Sequence, residues 1–157
     1  LGMVTVVSRC VGAGDFQRAR YYTRKLMKWG YAAMTGMILL TLLLLPLVLK
    51  AYGLSQEASG YARIIIWTHG LVGIVFWPAA FELPQALRAA GDTRFTMTVS
   101  ASSMWVFRVV LGVVFARVLN LGVLGIWYAM YIDWVVRTIF FVVRYRGHRW
   151  ELKGLKE

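Results

Sequence analysis

The chain has 157 residues, 59% of them hydrophobic and 15% aromatic, with a net charge of +11 and a mean hydropathy of +0.61. Soluble domains run at about 45–50% apolar, and one this small could not hide the surplus from water, so the composition excludes an ordinary soluble domain and calls for a membrane. The charge invites nucleic acid, but the cations stand beside apolar runs rather than along a solvated face, which argues against that partner; the single Cys10 excludes an internal disulfide.

In chain order, residues 1–11 are apolar but too short to span. The chain opens in mid-pattern on Leu1, without a basic leader or cleavage site, so this stretch is expected to be the last turns of a helix that begins upstream. Gly12 and Gly14 stop it, and Asp15 can cap the segment after it. Residues 16–28 mix Arg18, Arg20, Arg24, Lys25 and Lys28 with Phe16, Tyr21 and Tyr22. That is a basic amphipathic segment for anionic lipid headgroups, or else a solvated linker. Residues 29–49 carry no charge, enough to cross ~30 Å of hydrocarbon, and 50–62 read as a loop. A second span is expected over 64–83.

The stretch 82–94 is the hinge of the sequence. Pro84 can begin or kink a helix, Gly91 suits a left-handed helix end, and Asp92 or Thr93 can cap the next helix. It reads as a turn at the membrane surface with Arg88 and Arg94 in the headgroup layer. Residues 11–18 repeat its Ala-Gly-Asp and following arginine. A third span comes next over 95–116, interrupted by Arg108, then a tight turn and a fourth span over 122–143. Residues 144–157 form a basic tail with Trp150 as an interface anchor. No strand alternation appears. The expected fold is all-α, a polytopic membrane helix bundle of about four transmembrane helices plus the end of another.

Loop charge sets the orientation. One side holds thirteen cations, between Arg9 and Lys28, at Arg88 and Arg94, and from Arg144 to Lys156; the other holds Lys50, Arg63 and Arg117. Both Ala-Gly-Asp turns and the C-terminus are therefore expected in the cytoplasm.

Asp133 and Arg137 lie four apart on one helix face and can pair. Charge inside a membrane is expensive and faces the bundle interior or an aqueous cavity, so the pair is a structural tie or a gating element. Arg108 has no local acid and reaches Asp133 on the neighbouring helix or snorkels. His69 is a proton relay or a hydrogen-bonded structural histidine. Glu82 pairs with Arg88 or Arg94, or serves a cavity. Ser100 and Ser103, with Thr96, share a face that bonds across helices or lines a cavity. No nucleophile–base pair, phosphate loop or metal spacing appears, so no enzyme is expected.

The order of these pieces resembles the multidrug and toxic compound extrusion (MATE) transporters. The residues that carry the likeness are Val11-Gly12-Ala13-Gly14-Asp15, Leu87-Arg88-Ala89-Ala90-Gly91-Asp92-Thr93, Gly122-Val123-Leu124-Gly125-Ile126-Trp127, and Ile132-Asp133-Trp134 with Arg137. The resemblance implies that 1–157 is part of the second lobe of a twelve-helix transporter, the end of helix eight and then helices nine to twelve, with the N-terminal lobe as a missing partner. It further implies export of cationic amphipathic drugs and xenobiotics by antiport with H⁺ or Na⁺ from the bacterial cytoplasmic (inner) membrane. No coupling-ion residue carries over: helix ten shows no acid before Glu82, and helix one is outside the chain. A lipid-linked oligosaccharide flippase of the same superfamily and a non-transporting membrane scaffold are the alternatives.

Overall fold

The computed structural model describes residues 2–147 and 150–151. Six α-helices succeed one another: α1 Gly2–Gly12, α2 Phe16–Tyr52, α3 Gln56–Trp77, α4 Leu83–Ala89, α5 Thr93–Ser103 and α6 Gly122–Arg146. Wider π-helical turns occupy Pro78–Glu82, between α3 and α4, and Met104–Leu111 and Val114–Val118, beyond α5. Read through these turns, four continuous rods run over Phe16–Tyr52, Gln56–Ala89, Thr93–Val118 and Gly122–Arg146. The shortest has 25 residues, above the ~20 that a bilayer requires. Among the described residues the architecture is all-α, with four helices long and apolar enough to cross a membrane.

The rods are longer than the apolar runs suggest. No breaker separates the basic segment 16–28 from the apolar run, and α2 continues through both for 37 residues. The expected loop over 50–62 shrinks to a turn at 53–55. Gly53 closes α2 in the left-handed conformation, φ 59°, and the Ser55 hydroxyl accepts the Ala58 N–H to start α3. Along the rods the outward residues are apolar: Leu43, Leu47, Trp105, Val110 and Val118 are exposed. In water that surface would be a liability; in hydrocarbon it is solvated.

The tightest packing gathers at one end. Val7 and Val11 of α1, Ala19 of α2, Leu87 of α4 and Phe141 of α6 form a buried cluster there, and Trp150 joins it at 1% exposure. Trp150 is thus not an interface anchor. Its indole N–H donates to the Tyr145 carbonyl at 3.1 Å, and its ring stacks on Tyr145 and meets Phe16 edge-on. A buried indole usually finds a partner for its N–H, and here the Tyr145 carbonyl supplies it. Arg20 pairs with Glu151 at 3.4 Å beside it. The rest of the expected tail, at 148–149 and 152–157, lies outside the described residues.

The π turn at Pro78–Glu82 has a local cause. Pro84 has no N–H and its ring crowds the carbonyl four residues back, and the Leu83 N–H reaches five back, to Pro78. Neighbouring helices attend to the carbonyls before the turn: the Tyr31 hydroxyl donates to Val75 O at 3.1 Å and the Thr138 hydroxyl to Phe76 O at 3.3 Å. Such side-chain rescue is what lets prolines persist inside membrane helices.

Candidate functional site

The two Ala-Gly-Asp turns are built alike. Gly14 and Gly91 adopt φ of 73° and 83°, open to glycine at no steric cost. The next N–H reaches five residues back in each, Asp15 to Cys10 O at 2.9 Å and Asp92 to Leu87 O at 3.0 Å, which closes the preceding helix in the manner of a Schellman cap. The carboxylates then diverge. Asp15 caps α2 by accepting the Arg18 N–H at 2.9 Å. Asp92, expected to cap α5, makes no side-chain cap bond; Arg144 takes its carboxylate with two nitrogens, at 2.6 and 3.2 Å. A bidentate guanidinium is the stronger partner for a fully buried carboxylate. Arg88 turns inward as well, donating to the Thr96 hydroxyl at 3.3 Å, while Arg94 is exposed.

Asp133 is the centre of the bundle's charged interior. It is fully buried. Arg137, one turn on, reaches it at 2.8 Å, and Arg108 reaches its other oxygen at 3.1 Å from the π segment of the neighbouring rod. The Ser103 hydroxyl bonds the same carboxylate. Arg137 also donates to Ser100 O at 3.0 Å and lies 5.5 Å from the centre of the Phe81 ring. One carboxylate therefore holds two guanidiniums from two rods. The partners are unequal: the Arg137 side chain is 8% exposed and that of Arg108 38%.

His69 stands apart from this network. Its ring packs edge-on to Trp127 and Trp134 at 5.3 and 5.1 Å, and its Nδ1 is buried without a hydrogen-bond partner. It also lines an apolar cavity of about 250 Å³ between α2 and α3. Tyr131, whose hydroxyl bonds Thr68 at 2.9 Å, lies 6.4 Å from His69, ring centre to ring centre. Glu82 does not pair with Arg88 or Arg94. The π turn aims it at α2, where its carboxylate lies against Gly30.

Several of these contacts have no sequence signal. Arg144 and Asp92 are 52 positions apart and Thr138 and Phe76 are 62 apart.

The chain matches the MatE family model over residues 1–114, which takes in the Ala-Gly-Asp turns and Arg108. Over 159 aligned residues it is 29% identical to the "Uncharacterized transporter YisQ" of Bacillus subtilis (strain 168), a match covering 98% of this chain and 34% of that protein. The chain thus spans about a third of the length of this curated relative, and Asp133 and Arg137 fall within that match though beyond the family model. No solved structure matches the chain significantly. With a family model covering most of its length and four membrane-length helices in collinear order, the chain belongs to the MatE family of membrane transporters.

Proposed function

We propose that the chain is part of a cation-coupled antiporter that exports cationic amphipathic compounds, drugs and xenobiotics among them, from the bacterial cytoplasmic membrane in exchange for H⁺ or Na⁺. The observation that carries this reading is the MatE match over residues 1–114. The interior supports it: π-helical turns recur at functional sites, and here one of them carries Arg108, which ties its rod to the buried Asp133 of α6. Secondary transporters move one repeat against another around a site between them. A buried charge network that fixes α6 to its neighbour would let those rods move as one body.

The test is ethidium efflux from a drug-sensitive bacterium that expresses the full-length protein. Energy-dependent efflux is expected, abolished by a protonophore or by a sodium ionophore according to the coupling ion. Efflux no greater than with an empty vector overturns the reading. Residues 1–157 alone are expected to insert but to give no efflux, because they supply less than one repeat.

A further inference from the structure

We infer that Arg24, Lys25 and Lys28, flanked by Tyr21 and Trp29, form a site on the outward face of α2 for an anionic phospholipid of the cytoplasmic leaflet. The inference does not rest on the exporter reading; it needs only that the chain spans a membrane.

Placement comes first. The stretch 16–28 is neither a linker nor a helix laid flat on the bilayer. It is continuous with the membrane-spanning run of α2, so it leaves the hydrocarbon along the same axis. The uncharged run 29–49 matches ~30 Å of hydrocarbon. Lys28 therefore stands at the hydrocarbon boundary, and Arg24 and Lys25 lie about 6 Å beyond it at the rise of an α-helix. The headgroup layer is roughly 5–8 Å deep on each side, so the three cations share a level with the lipid phosphates.

The helix period gathers these groups. Tyr21, Arg24, Lys25 and Lys28 are spaced i, i+3, i+4, i+7 and share one face. All four are exposed, while Ala19 and Thr23, on the far side of α2, are buried. The Lys25 ammonium lies 5.8 Å from the centre of the Tyr21 ring. Trp29, 67% exposed, sits at the boundary that indoles favour. Acids at this end are engaged elsewhere: Asp15 holds Arg18, Glu151 holds Arg20 and Asp92 holds Arg144. Among the described residues no ion pair takes Arg24, Lys25 or Lys28.

The rest of the face names the occupant. Towards the middle of the membrane the same side of α2 is apolar, with Leu39 and Leu43 exposed. A phospholipid has this order of chemistry, a phosphate above and an acyl chain below. An acidic protein segment or a free phosphate would satisfy the cations and leave the leucines unused. Clustered Lys and Arg at a membrane surface select anionic over zwitterionic headgroups.

The test is equilibrium binding of acyl-labelled phosphatidylglycerol to the purified full-length protein in neutral detergent, with identically labelled phosphatidylcholine as the control lipid. Wild type is expected to prefer phosphatidylglycerol. Each cation near an anionic surface is worth about fivefold in affinity. Replacing Arg24, Lys25 and Lys28 together by Gln should therefore weaken phosphatidylglycerol binding at least tenfold and leave phosphatidylcholine unchanged. Changing Lys50, Arg63 and Arg117 to Gln removes the same charge from the opposite end and should leave the preference in place. Equal phosphatidylglycerol binding by wild type and the folded Arg24/Lys25/Lys28 variant overturns the site, and so does an equal loss in the opposite-end variant. Should the first variant fail to fold, Lys28→Gln alone decides: unchanged affinity there overturns the site. An acidic segment of the full-length protein seated on the patch would shield Lys25 and Lys28 from an amine-reactive label in detergent without added lipid; that shielding also overturns it.

Discussion

One carboxylate shared by two guanidiniums sets an order of consequences among three residues. Removing Asp133 strands two cations in a setting of low dielectric. Removing Arg137, the more deeply buried partner, leaves Asp133 with Arg108 and Ser103 and frees the Ser100 carbonyl. Removing Arg108 leaves the Asp133–Arg137 pair intact, and much of the Arg108 side chain was already exposed. Breaking a buried pair typically costs about 3–5 kcal/mol, so Asp133→Asn should fall in that range. Arg137→Met should come second, and Arg108→Met should cost least. Thermal unfolding of the purified full-length protein in detergent measures the series. Equal losses from Arg108→Met and Asp133→Asn would mean that Arg108, not Arg137, is the principal counter-charge. Replacing Asp133 by Leu together with Arg108 by Met should recover only part of the loss, because Arg137 remains unpaired. A neutral interior needs all three changed.

At the level of elements, long apolar runs made the rods legible, and their ends were not. The run from Trp29 to Leu49 marks a span in any reading, yet α2 reaches from Phe16 to Tyr52, because nothing in the flanking polar residues breaks a helix. Asp133 and Arg137 were legible as a pair through their spacing of four. The link from Arg108 was available as one alternative, and the fourth member, Ser103, was noticed only as part of a polar stripe. The π turns left little trace beyond Pro84. Side chains of other helices donate near two of them, Tyr31 and Thr138 near one and Arg137 near another, and no local pattern records a donor that arrives from another rod. Glycine is similarly uninformative until its surroundings are known. At Gly125 an added Cβ would stand 2.7 Å from the Phe115 carbonyl carbon and 2.9 Å from the Ala116 nitrogen, backbone atoms that cannot swing aside. At Gly36 it would meet nothing within 4 Å. Gly125→Ala should therefore destabilise by about 1–3 kcal/mol, the usual range for overpacking. Gly36→Ala should be neutral or stabilising by up to ~1 kcal/mol through helix propensity. The same unfolding measurement separates them, and equal shifts would show that α6 does not approach the third rod so closely.

Across the whole molecule, both Ala-Gly-Asp turns and the chain beyond α6 meet at one end. Arg144 binds Asp92, Trp150 packs on Phe16, and α1 joins the same buried cluster. The turns at 53–55 and 119–121 close the opposite ends of the rods. Among the described residues ten lysines and arginines flank the first end and three the other. Some of the ten are neutralised by acids, Arg18, Arg20 and Arg144 among them. That does not weaken the bias, because orientation depends on the count of Lys and Arg near the membrane and acids contribute little. The first end is therefore expected in the cytoplasm. Single cysteines test this in the full-length protein once Cys10 and any other native cysteines are replaced. Position 92 is unsuitable, since a change there breaks the bond to Arg144. Arg94, exposed on the same turn, and Leu54, 42% exposed on the opposite one, are the better sites. An impermeant maleimide applied to intact cells should label Leu54→Cys at once and Arg94→Cys only after permeabilisation. The reverse pattern would overturn the orientation. It would also put the Ala-Gly-Asp turns, and the end that closes around Trp150, outside the cell.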